Sequence, residues 1–550
     1  MEEIENITTK NIDHLGIVSG VCEEIGLVKL IDKLTESDEQ RKVSVGTASK
    51  AMILNGLGFA NRTLYLTPVF FKDKAVDVLL GAKIKAEDLD SHCLGTALDA
   101  IYKAGISKVF YNVSLQSIKR YGIKIKSRHL DGTTFMVHGD KYKDGGEKIG
   151  QIELKRGYNK QKRNDLRQFV FEMISSNVEG IPLFIKAASG NKTDKTEFPE
   201  VLEAYMKQMQ ESEEKLEGYV VADSALYGEE NLDRIASIQW ISRVPETIKQ
   251  AKEELKYSKN RSWKKFEAAP GYEYEEVSSS YGGITQRWLI IKSSAAAIRS
   301  KKTVEKKVAK ESIVLKKGIK TLKKVNYSTK QEAEQVVADW YNKTLKIKDK
   351  RYHNLGKIEV LKQLHYGRGR RKADAKPERI DYELKQVELT RNEQAIKEHI
   401  HEKSQFILAT NETDSTKLGV DEWLHLYKNE QQKVERGFRF LKDPMFLLSH
   451  IFLELPRRIM ALSMIMGLCL LVYTLAQYKL RKILKQTGET IPNQLGKPIQ
   501  NPTTKWVFQL FSGIHVIYIN GIKKGILNLD KIQLKILELM GAKIHSYYTV

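Results

Sequence analysis

The sequence predicts an α/β protein in which a mixed sheet is interrupted by a basic α+β insertion and flanked by helical N-terminal and C-terminal regions. Three observations support this fold class. Segments with strand character follow one another after residue 125 and then alternate with helical segments. A lysine-rich stretch separates these strands from the next one, near residue 404. Apolar residues at helical spacing occupy both ends of the chain.

The composition is typical of a soluble globular protein with a polyanionic partner. The chain has 550 residues, of which 91 are Lys or Arg and 69 are Asp or Glu, so the net charge is +22. An apolar fraction of 41% is sufficient for a core and excludes a disordered chain. Excess positive charge attracts nucleic acid or an anionic membrane surface, and we expect nucleic acid.

Cysteine usage and the N-terminal residues indicate a reducing compartment. The three cysteines, at positions 22, 93 and 469, form no C-x-x-C pair, so neither a disulfide framework nor a cysteine-based zinc site is expected. The residues from Met1 to Glu5 are acidic, and we expect no signal or transit peptide. The sequence therefore predicts a cytoplasmic protein.

Residues 1–125 are predicted to form a helical domain that binds DNA ends or pairs two protomers. Apolar side chains recur at helical spacing within residues 18–27 and 48–57. Ser107 is a candidate N-cap for the helix that follows it.

Residues 126–250 are predicted to form the first part of the sheet. Strands are expected at 128–137, 168–174 and 181–186, where β-branched and aromatic residues dominate. Next come a helix at 197–215, a buried strand at 218–223, a short helix at 229–235 and a strand at 239–244. Three strands, helix, strand, helix and strand give a mixed sheet in an α/β layer fold.

Residues 251–402 are predicted to form the basic insertion domain. Between Lys301 and Lys330 there are 11 Lys and 2 Glu, a net charge of 11 − 2 = +9. This composition suits contacts to DNA phosphates without sequence readout. A solvated helix surface, with no DNA contact, is the alternative.

Residues 403–450 are predicted to complete the core. A strand is expected at 404–410. An amphipathic helix is expected at 420–441, because one apolar stripe along it contains Trp423, Tyr427, Val434, Phe438 and Leu441. Asp443 followed by Pro444 ends this helix.

Residues 451–550 are predicted to form a helical C-terminal region. The run 459–478 carries no charge and is long enough to span a bilayer. Polar residues dilute this run and basic residues flank both of its ends, so we expect a buried core helix and no membrane partner.

Three carboxylates and one lysine carry the chemistry that the sequence suggests, since neither a P-loop nor an H-E-x-x-H motif is present. Asp131 lies inside an apolar strand and Asp223 ends another, and two neighbouring buried acids require a cation between them. Mg²⁺ takes such oxygen ligands. Glu435 lies beside the apolar stripe of the predicted helix, and Lys442 projects from the same face two turns later. The alternatives are a turn or strand-end residue for Asp131, a helix N-cap for Asp223, and an exposed, ion-paired helix around Glu435 and Lys442.

These residues lie in segments that resemble the DDE transposases of bacterial insertion sequences. Among these transposases, the segments are most similar to the IS-four-like group. The segments are Leu-Asp-Gly-Thr-Thr (130–134), Val-Val-Ala-Asp-Ser-Ala-Leu-Tyr (220–227), Val-Glu-Arg-Gly-Phe-Arg-Phe-Leu-Lys-Asp-Pro (434–444), Gly-Tyr-Asn-Lys (157–160), Gly-Asn-Lys-Thr-Asp (190–194) and Ile-Ser-Arg-Val-Pro (241–245). The spacings of the acids fit, at 223 − 131 = 92 and 435 − 223 = 212 residues, and the second leaves room for an insertion. The similarity covers about residues 125–485.

The resemblance implies a ribonuclease-H-like core that performs phosphoryl transfer on DNA. Asp131, Asp223 and Glu435 would hold two Mg²⁺ or Mn²⁺ ions, with Asp131 bridging both. Water would attack the terminal inverted repeat of the element, and the freed 3′-OH would attack target DNA in a cut-and-paste reaction. Lys442 would bind a phosphate near the cut.

The resemblance also implies double-stranded DNA as the partner, namely the terminal inverted repeats and the target. The expected DNA-binding residues are Lys442, Arg436, Arg439, Lys160, Arg163, Arg243, Arg368, Arg370 and Arg371. A homodimer in a synaptic complex, in the bacterial cytoplasm and associated with the nucleoid, is the expected setting.

The group's signature, Tyr-x2-Arg-x3-Glu-x6-Lys, is only half present. Glu435 and Lys442 satisfy its second half, but its Arg position falls on Gln431 and its Tyr position on Lys428, with Tyr427 one residue early. The DNA-end contacts of the missing Tyr and Arg therefore do not carry over directly.

Several alternatives stay open. Tyr427 and Arg436 are the candidate replacements for the missing signature residues. A ribonuclease-H-like metal nuclease or resolvase would use the same three acids without strand transfer. A catalytically silent, transposase-derived DNA-binding protein would use none of them, and a membrane-surface protein would use only the charge.

Overall fold

A computed structural model describes most of the chain, in separate ranges. These are residues 6–59, 63–137, 152–157, 163, 165–256, 261–345, 351–369, 375–443, 453 and 455–549. The chain divides into two compact units. The core unit comprises residues 1–243, 280–286 and 410–550, and the insert unit comprises residues 244–279 and 287–409. The five domain limits expected from the sequence remain a prediction.

Helices dominate the N-terminal part of the core unit. The elements are β1 (Ile7–Asn11), α1 (Leu15–Glu24), α2 (Leu27–Leu34), α3 (Val45–Leu57), α4 (Thr67–Phe71), α5 (Val76–Leu80), α6 (Ser91–Ala104) and α7 (Ile106–Tyr121), with 3₁₀ turns at Leu64–Leu66 and Ala86–Leu89. Their apolar faces contribute to one large hydrophobic core. Helix α3 approaches Val28 closely, because a Cβ added to Gly46 would lie 2.3 Å from the Val28 carbonyl oxygen.

The prediction that Ser107 caps a helix is wrong. α7 begins at Ile106, so Ser107 lies inside its first turn, and the N-cap position belongs to Gly105. The Ser107 hydroxyl instead donates to the Ile185 carbonyl oxygen at 2.7 Å, which attaches α7 to a strand of the sheet.

A mixed sheet forms the centre of the core unit. Its elements are β2 (Ser127–Val137), β3 (Arg167–Ser176), β4 (Pro182–Ser189), α8 (Asp194–Glu211), β5 (Tyr219–Ala222), α9 (Glu229–Arg234) and β6 (Trp240–Arg243). The strand order is β4-β3-β2-β5-β6, in which the β4–β3 and β3–β2 pairs are antiparallel and the β2–β5 and β5–β6 pairs are parallel. This arrangement confirms the predicted α/β class and the predicted order of three strands, helix, strand, helix and strand.

The insert unit combines long charged helices with strands. Its elements are α10 (Lys249–Lys256), β7 (Lys264–Lys265), β8 (Tyr272–Tyr281), β9 (Ile284–Ser293), α11 (Ser294–Leu322), α12 (Lys330–Thr344), β10 (His353–His365), β11 (Arg379–Arg391), α13 (Glu393–Lys403) and β12 (Gln405–Thr410). Strands β12, β9, β8 and β7 are neighbours in that order, and β10 and β11 form a separate antiparallel pair. On α11 the buried residues are Val304, Val308, Leu315 and Ile319, so one apolar stripe faces inward and most of the lysines face solvent.

The amphipathic helix predicted at 420–441 is interrupted. The structure has α14 (Val420–His425), a π-helical turn (Leu426–Glu430) and α15 (Gln431–Leu441). Trp423, Val434, Phe438 and Leu441 of the predicted stripe are buried, but the prediction of one unbroken α-helix is wrong. A π turn bonds each residue to the fifth one along, so it accommodates one residue more than an α-helical turn.

The C-terminal part of the core unit begins with a buried helix. Its elements are α16 (Pro456–Thr487), β13 (Ile491–Pro492), β14 (Pro498–Ile499), α17 (Thr504–Leu510), β15 (His515–Ile519), β16 (Ile522–Leu527), α18 (Lys531–Met540) and α19 (Ala542–His545), with a 3₁₀ turn at Ser546–Tyr548. Among the described residues, α16 alone has the length and apolar composition to cross a membrane, and 89% of its most apolar window is buried. The run 459–478 is therefore part of a core helix, as predicted. β15 and β16 form a three-stranded sheet with β1.

Candidate active site

Asp131 and Asp223 lie at equivalent register positions of the neighbouring parallel strands β2 and β5. β2 and β5 pair with Leu130 opposite Ala222, so the next residue along each chain is one of the two aspartates. Adjacent strands lie about 4.8 Å apart. Both aspartates are half-buried. Carboxylates that approach each other from neighbouring strands repel unless a cation or a proton lies between them.

Local hydrogen bonds fix the backbone around both aspartates. The Asp131 Oδ1 atom accepts from the Gly132 N–H at 2.9 Å. The Asp223 Oδ1 atom accepts from the Ala225 N–H at 2.8 Å, which makes the turn that follows β5. The Ser242 hydroxyl donates to the Asp223 carbonyl oxygen at 2.8 Å and ties this turn to β6.

Helix α15 lies on the face of the sheet that carries Asp131. Alternate residues of a strand share a face, so Asp131, Thr133 and Phe135 point to the same side of β2. The Lys442 Nζ atom, just beyond the end of α15, donates to the Thr133 Oγ1 atom at 2.5 Å and lies 5.5 Å from the centre of the Phe135 ring. Glu435, seven residues earlier on α15, is exposed.

The charges of the three predicted acids act on Tyr427. Burial raises the pKa of Tyr427 to about 12, the positive charge of Arg243 lowers this pKa, and the negative charges of Asp223, Asp131 and Glu435 raise it. Because charge interactions weaken with distance, these four charged groups lie near enough to the phenol to act on it.

The π-helical turn explains why Tyr427 can lie here although it stands one residue early in the sequence. Residues of an α-helix are about 100° apart, so eight regular steps would separate Tyr427 from Glu435 by about 80°. One residue absorbed by the π turn reduces the separation to about 20°, the value for seven regular steps. The extra residue and the π turn therefore compensate each other.

The donor chemistry of the site suits a divalent cation. Within the described residues no three His, Cys, Asp or Glu side chains are already grouped closely enough to hold an ion. Asp131, Asp223 and Glu435 nevertheless offer only carboxylate oxygens, the ligands that Mg²⁺ and Mn²⁺ prefer. The residues present fit a hard divalent cation and would not suit a soft one.

A fourth acid, Glu172, was not predicted from the sequence. It lies on β3 directly opposite Gly132, is fully buried, and neither of its carboxylate oxygens has a hydrogen-bond partner among the described residues. Burial raises its pKa well above the usual value, and the nearby acids, Asp194 first and Asp131 second, raise it further. Its only signal in the sequence is that it is the single charged residue of the apolar strand segment 168–174.

Gly132 makes room for Glu172 next to Asp131. A Cβ added to Gly132 would lie 2.5 Å from the Glu172 Oε2 atom. Gly132 and Glu172 point to the face of the sheet opposite to Asp131, because side chains alternate along a strand. The glycine of the Leu-Asp-Gly-Thr-Thr segment is therefore a packing requirement of the strand pair.

The other predicted DNA-binding residues are distributed over both units. Arg436 and Arg439 are exposed on α15, and Arg243 ends β6 and is half-buried. Arg163 is exposed, and its Nη2 atom forms an ion pair with the Asp165 Oδ2 atom at 2.7 Å.

Arg368 is exposed in the connection that follows β10 of the insert unit. Lys160, Arg370 and Arg371 lie outside the described residues. Among the described candidates, Lys442 contacts Thr133, two residues from Asp131, and the charge of Arg243 acts on Tyr427.

Two domain families match the chain. Residues 128–473 match the family described as "Transposase DDE domain". Residues 7–115 match the family described as "Domain of unknown function (DUF4277)". No match to a curated protein was found.

Solved structures of two transposases show remote likeness. A piggyBac transposase synaptic complex with hairpin DNA has a TM-score of 0.37 and 8% identity, covering 98% of this chain and 84% of the other. A Mos1 transposase paired-end complex with the left transposon end has a TM-score of 0.15 and 11% identity, covering 28% of this chain and 51% of the other. Both TM-scores are too low to establish a shared fold. The assignment rests on the domain match, which contains the predicted acids Asp131, Asp223 and Glu435 and spans well over half of the chain: the chain belongs to the DDE transposase family.

Proposed function

We propose that this transposase uses divalent cations to cleave DNA at the terminal inverted repeats of an insertion sequence and joins the freed 3′-OH to target DNA. The proposal is supported above all by the strand register of Asp131 and Asp223, which follow the paired residues Leu130 and Ala222, and by the contact of the Lys442 ammonium with Thr133. Phosphoryl transfer on DNA requires acidic side chains that hold metal ions and a positively charged side chain nearby that binds a phosphate.

In this proposal the three acids hold the metal ions. Asp131 and Asp223 enter from adjacent strands whose backbones are fixed by hydrogen bonds, and Glu435 enters from α15. When bound, two Mg²⁺ or Mn²⁺ ions activate the attacking oxygen and stabilise the leaving 3′ oxygen. The contribution of the chain is to supply carboxylate oxygens from neighbouring strands of the sheet and from α15.

The cationic side chains bind and orient the DNA backbone. Lys442 is held on the Asp131 face of β2, where its ammonium can pair with a phosphate beside the cut. Arg243 offers a planar guanidinium near Tyr427, and Arg436 and Arg439 extend the positive surface along α15. Phosphate contacts of this kind fix the register of the DNA without reading its sequence.

Tyr427 takes the place of the signature tyrosine at the DNA end. The charges of the three acids and Arg243 act on its phenol, and the π turn offsets its displaced position in the sequence. The high pKa keeps this phenol neutral at physiological pH, so it can donate a hydrogen bond to a phosphate oxygen.

The proposed partner is double-stranded DNA, bound by two copies of the chain. The net charge of +22 favours a polyanionic ligand. A cut-and-paste reaction acts on both ends of one element, and two copies with one site each can hold the two ends together. We place the protein in the bacterial cytoplasm, where the element and its targets lie.

The test uses a duplex that carries the inverted repeat from the DNA beside this reading frame. Incubation with Mg²⁺ should nick the repeat end, and the freed 3′ strand should become joined to a supercoiled plasmid; Ca²⁺ and a duplex of shuffled sequence serve as controls. Cleavage without joining would favour a metal nuclease. Binding without cleavage would favour a silent DNA-binding protein and contradict the proposal.

A further inference from the structure

The ammonium of Lys442 is held by two groups of strand β2. The Thr133 hydroxyl oxygen lies 2.5 Å from the Lys442 Nζ atom, although 309 residues separate the two in the sequence. The centre of the Phe135 ring lies 5.5 Å from the same nitrogen, within the range of a cation–π contact. Thr133 and Phe135 are the next two residues on the face of β2 that carries Asp131.

A lysine needs such support to act at a defined place. Its four-carbon stem is flexible, and its compact charge has no preferred direction, so ordering the side chain costs conformational entropy. A hydroxyl acceptor and an aromatic face that meet at one nitrogen remove much of that freedom before DNA binds. An ammonium has three N–H donors, and phosphate oxygens are acceptors for the same group.

We propose that Thr133 is a positioning residue, which holds the Lys442 ammonium two residues from Asp131 so that it meets a phosphate of the DNA end. This inference rests on the proposed function, because it assigns Lys442 a DNA-end phosphate. It adds a role for a hydroxyl that neither coordinates metal nor contacts the reacting atoms. The second residue after Asp131 then links the metal site to the site of phosphate binding.

The role can be separated from packing by substitutions of matched shape. Thr133→Val keeps the β-branched shape that suits a strand and removes only the hydroxyl. Thr133→Ser keeps the hydroxyl and removes a methyl group. Thr134→Val is the control, because Thr134 points to the opposite face of the same strand.

The experiment is a double-mutant cycle measured by binding of the full chain to the inverted-repeat duplex in Ca²⁺. Thr133→Val should weaken binding roughly threefold to tenfold, as expected when a partly exposed hydrogen bond to a charged group is removed. In the Lys442→Met background the same substitution should have no further effect. Thr133→Ser and Thr134→Val should bind like the wild type, and all variants should melt at the wild-type temperature.

Three outcomes would overturn the inference. In the first, Thr133→Val leaves DNA binding unchanged while Lys442→Met weakens it. In the second, Thr133→Val weakens binding by the same factor in the wild-type and in the Lys442→Met background. If Thr133→Val does not fold, Thr133→Ser decides, because weak binding by a folded Thr133→Ser variant would contradict a role for the hydroxyl and wild-type binding would support it. Failure of the proposed function looks different, since Lys442→Met itself would then leave binding to the repeat unchanged.

Discussion

The π-helical turn at Leu426–Glu430 predicts that one residue can be removed from it without disrupting the site. Deleting Lys428 shortens the path from Tyr427 to Glu435 to seven steps. Seven steps of regular α-helix place the two side chains about 20° apart, which is also the value with eight steps and one π turn. The deletion should therefore convert the π turn to an α-helical turn and leave both flanking helices in place.

Inserting one Ala after Gln432 is the matched control. Gln432 is exposed on α15, where the helix is regular, so the π turn cannot absorb the added residue. The insertion should rotate Glu435 by about 100° relative to Tyr427 and shift it by about 1.5 Å. The buried side chains Val434 and Phe438 would rotate with it, so stability should fall as well.

The assay compares melting temperature and Mg²⁺-dependent nicking of the inverted-repeat duplex for the two variants. We expect the Lys428 deletion to keep both near wild-type values and the insertion after Gln432 to abolish nicking. Equal impairment of the two variants would refute the interpretation of the π turn as a single accommodated residue.

Three further predictions test other parts of the molecule. Burial raises the pKa of Glu172 in the folded state, so the stability of the wild type should be highest below the unfolded pKa of this carboxyl and should fall as pH rises toward the folded pKa. Glu172→Gln should therefore match the melting temperature of the wild type near pH 5 and exceed it near pH 8. A lower melting temperature at both pH values would contradict this prediction. Replacing the exposed Lys306 and Lys310 of α11 with Gln should weaken the salt dependence of binding to a random-sequence duplex. The slope of log affinity against log salt concentration should fall by about 0.9 for each DNA phosphate that is no longer neutralised. An unchanged slope would show that these lysines do not contact DNA. Gly46→Ala should lower the free energy of unfolding in urea by about 1–3 kcal/mol, because the added Cβ would lie 2.3 Å from the Val28 carbonyl oxygen. An unchanged midpoint of the urea unfolding transition would show that α3 can shift to accommodate the methyl group.

The fold class was accessible from the sequence because its signals are local. Aromatic and β-branched residues mark β2, β3 and β4, and an apolar run ending in Asp223 marks β5. The order of these elements, with two parallel pairs after two antiparallel ones, follows from which segments are helical between them. The uncharged run 459–478 indicated the buried helix α16 for the same reason.

The site was only partly accessible because its remaining features depend on pairing between distant segments. Glu172 became meaningful once the strand register placed it opposite Gly132. The contact of Thr133 with Lys442 joins residues 309 apart. The π turn was missed because the stripe from Trp423 to Leu441 fits an unbroken α-helix as sequence, and only the hydrogen-bond pattern reveals the extra residue.

The central claim is that Asp131, Asp223 and Glu435 together hold the metal ions that cleave DNA. The most direct measurement is Mg²⁺-dependent nicking of the inverted-repeat duplex by Asp131→Asn, Asp223→Asn and Glu435→Gln, with binding to the same duplex in Ca²⁺ measured in parallel. We expect each variant to be unable to nick and to bind DNA nearly as well as the wild type, because each change removes a metal ligand and leaves the cationic surface intact. Wild-type nicking by any one of the three would contradict the assignment of that residue.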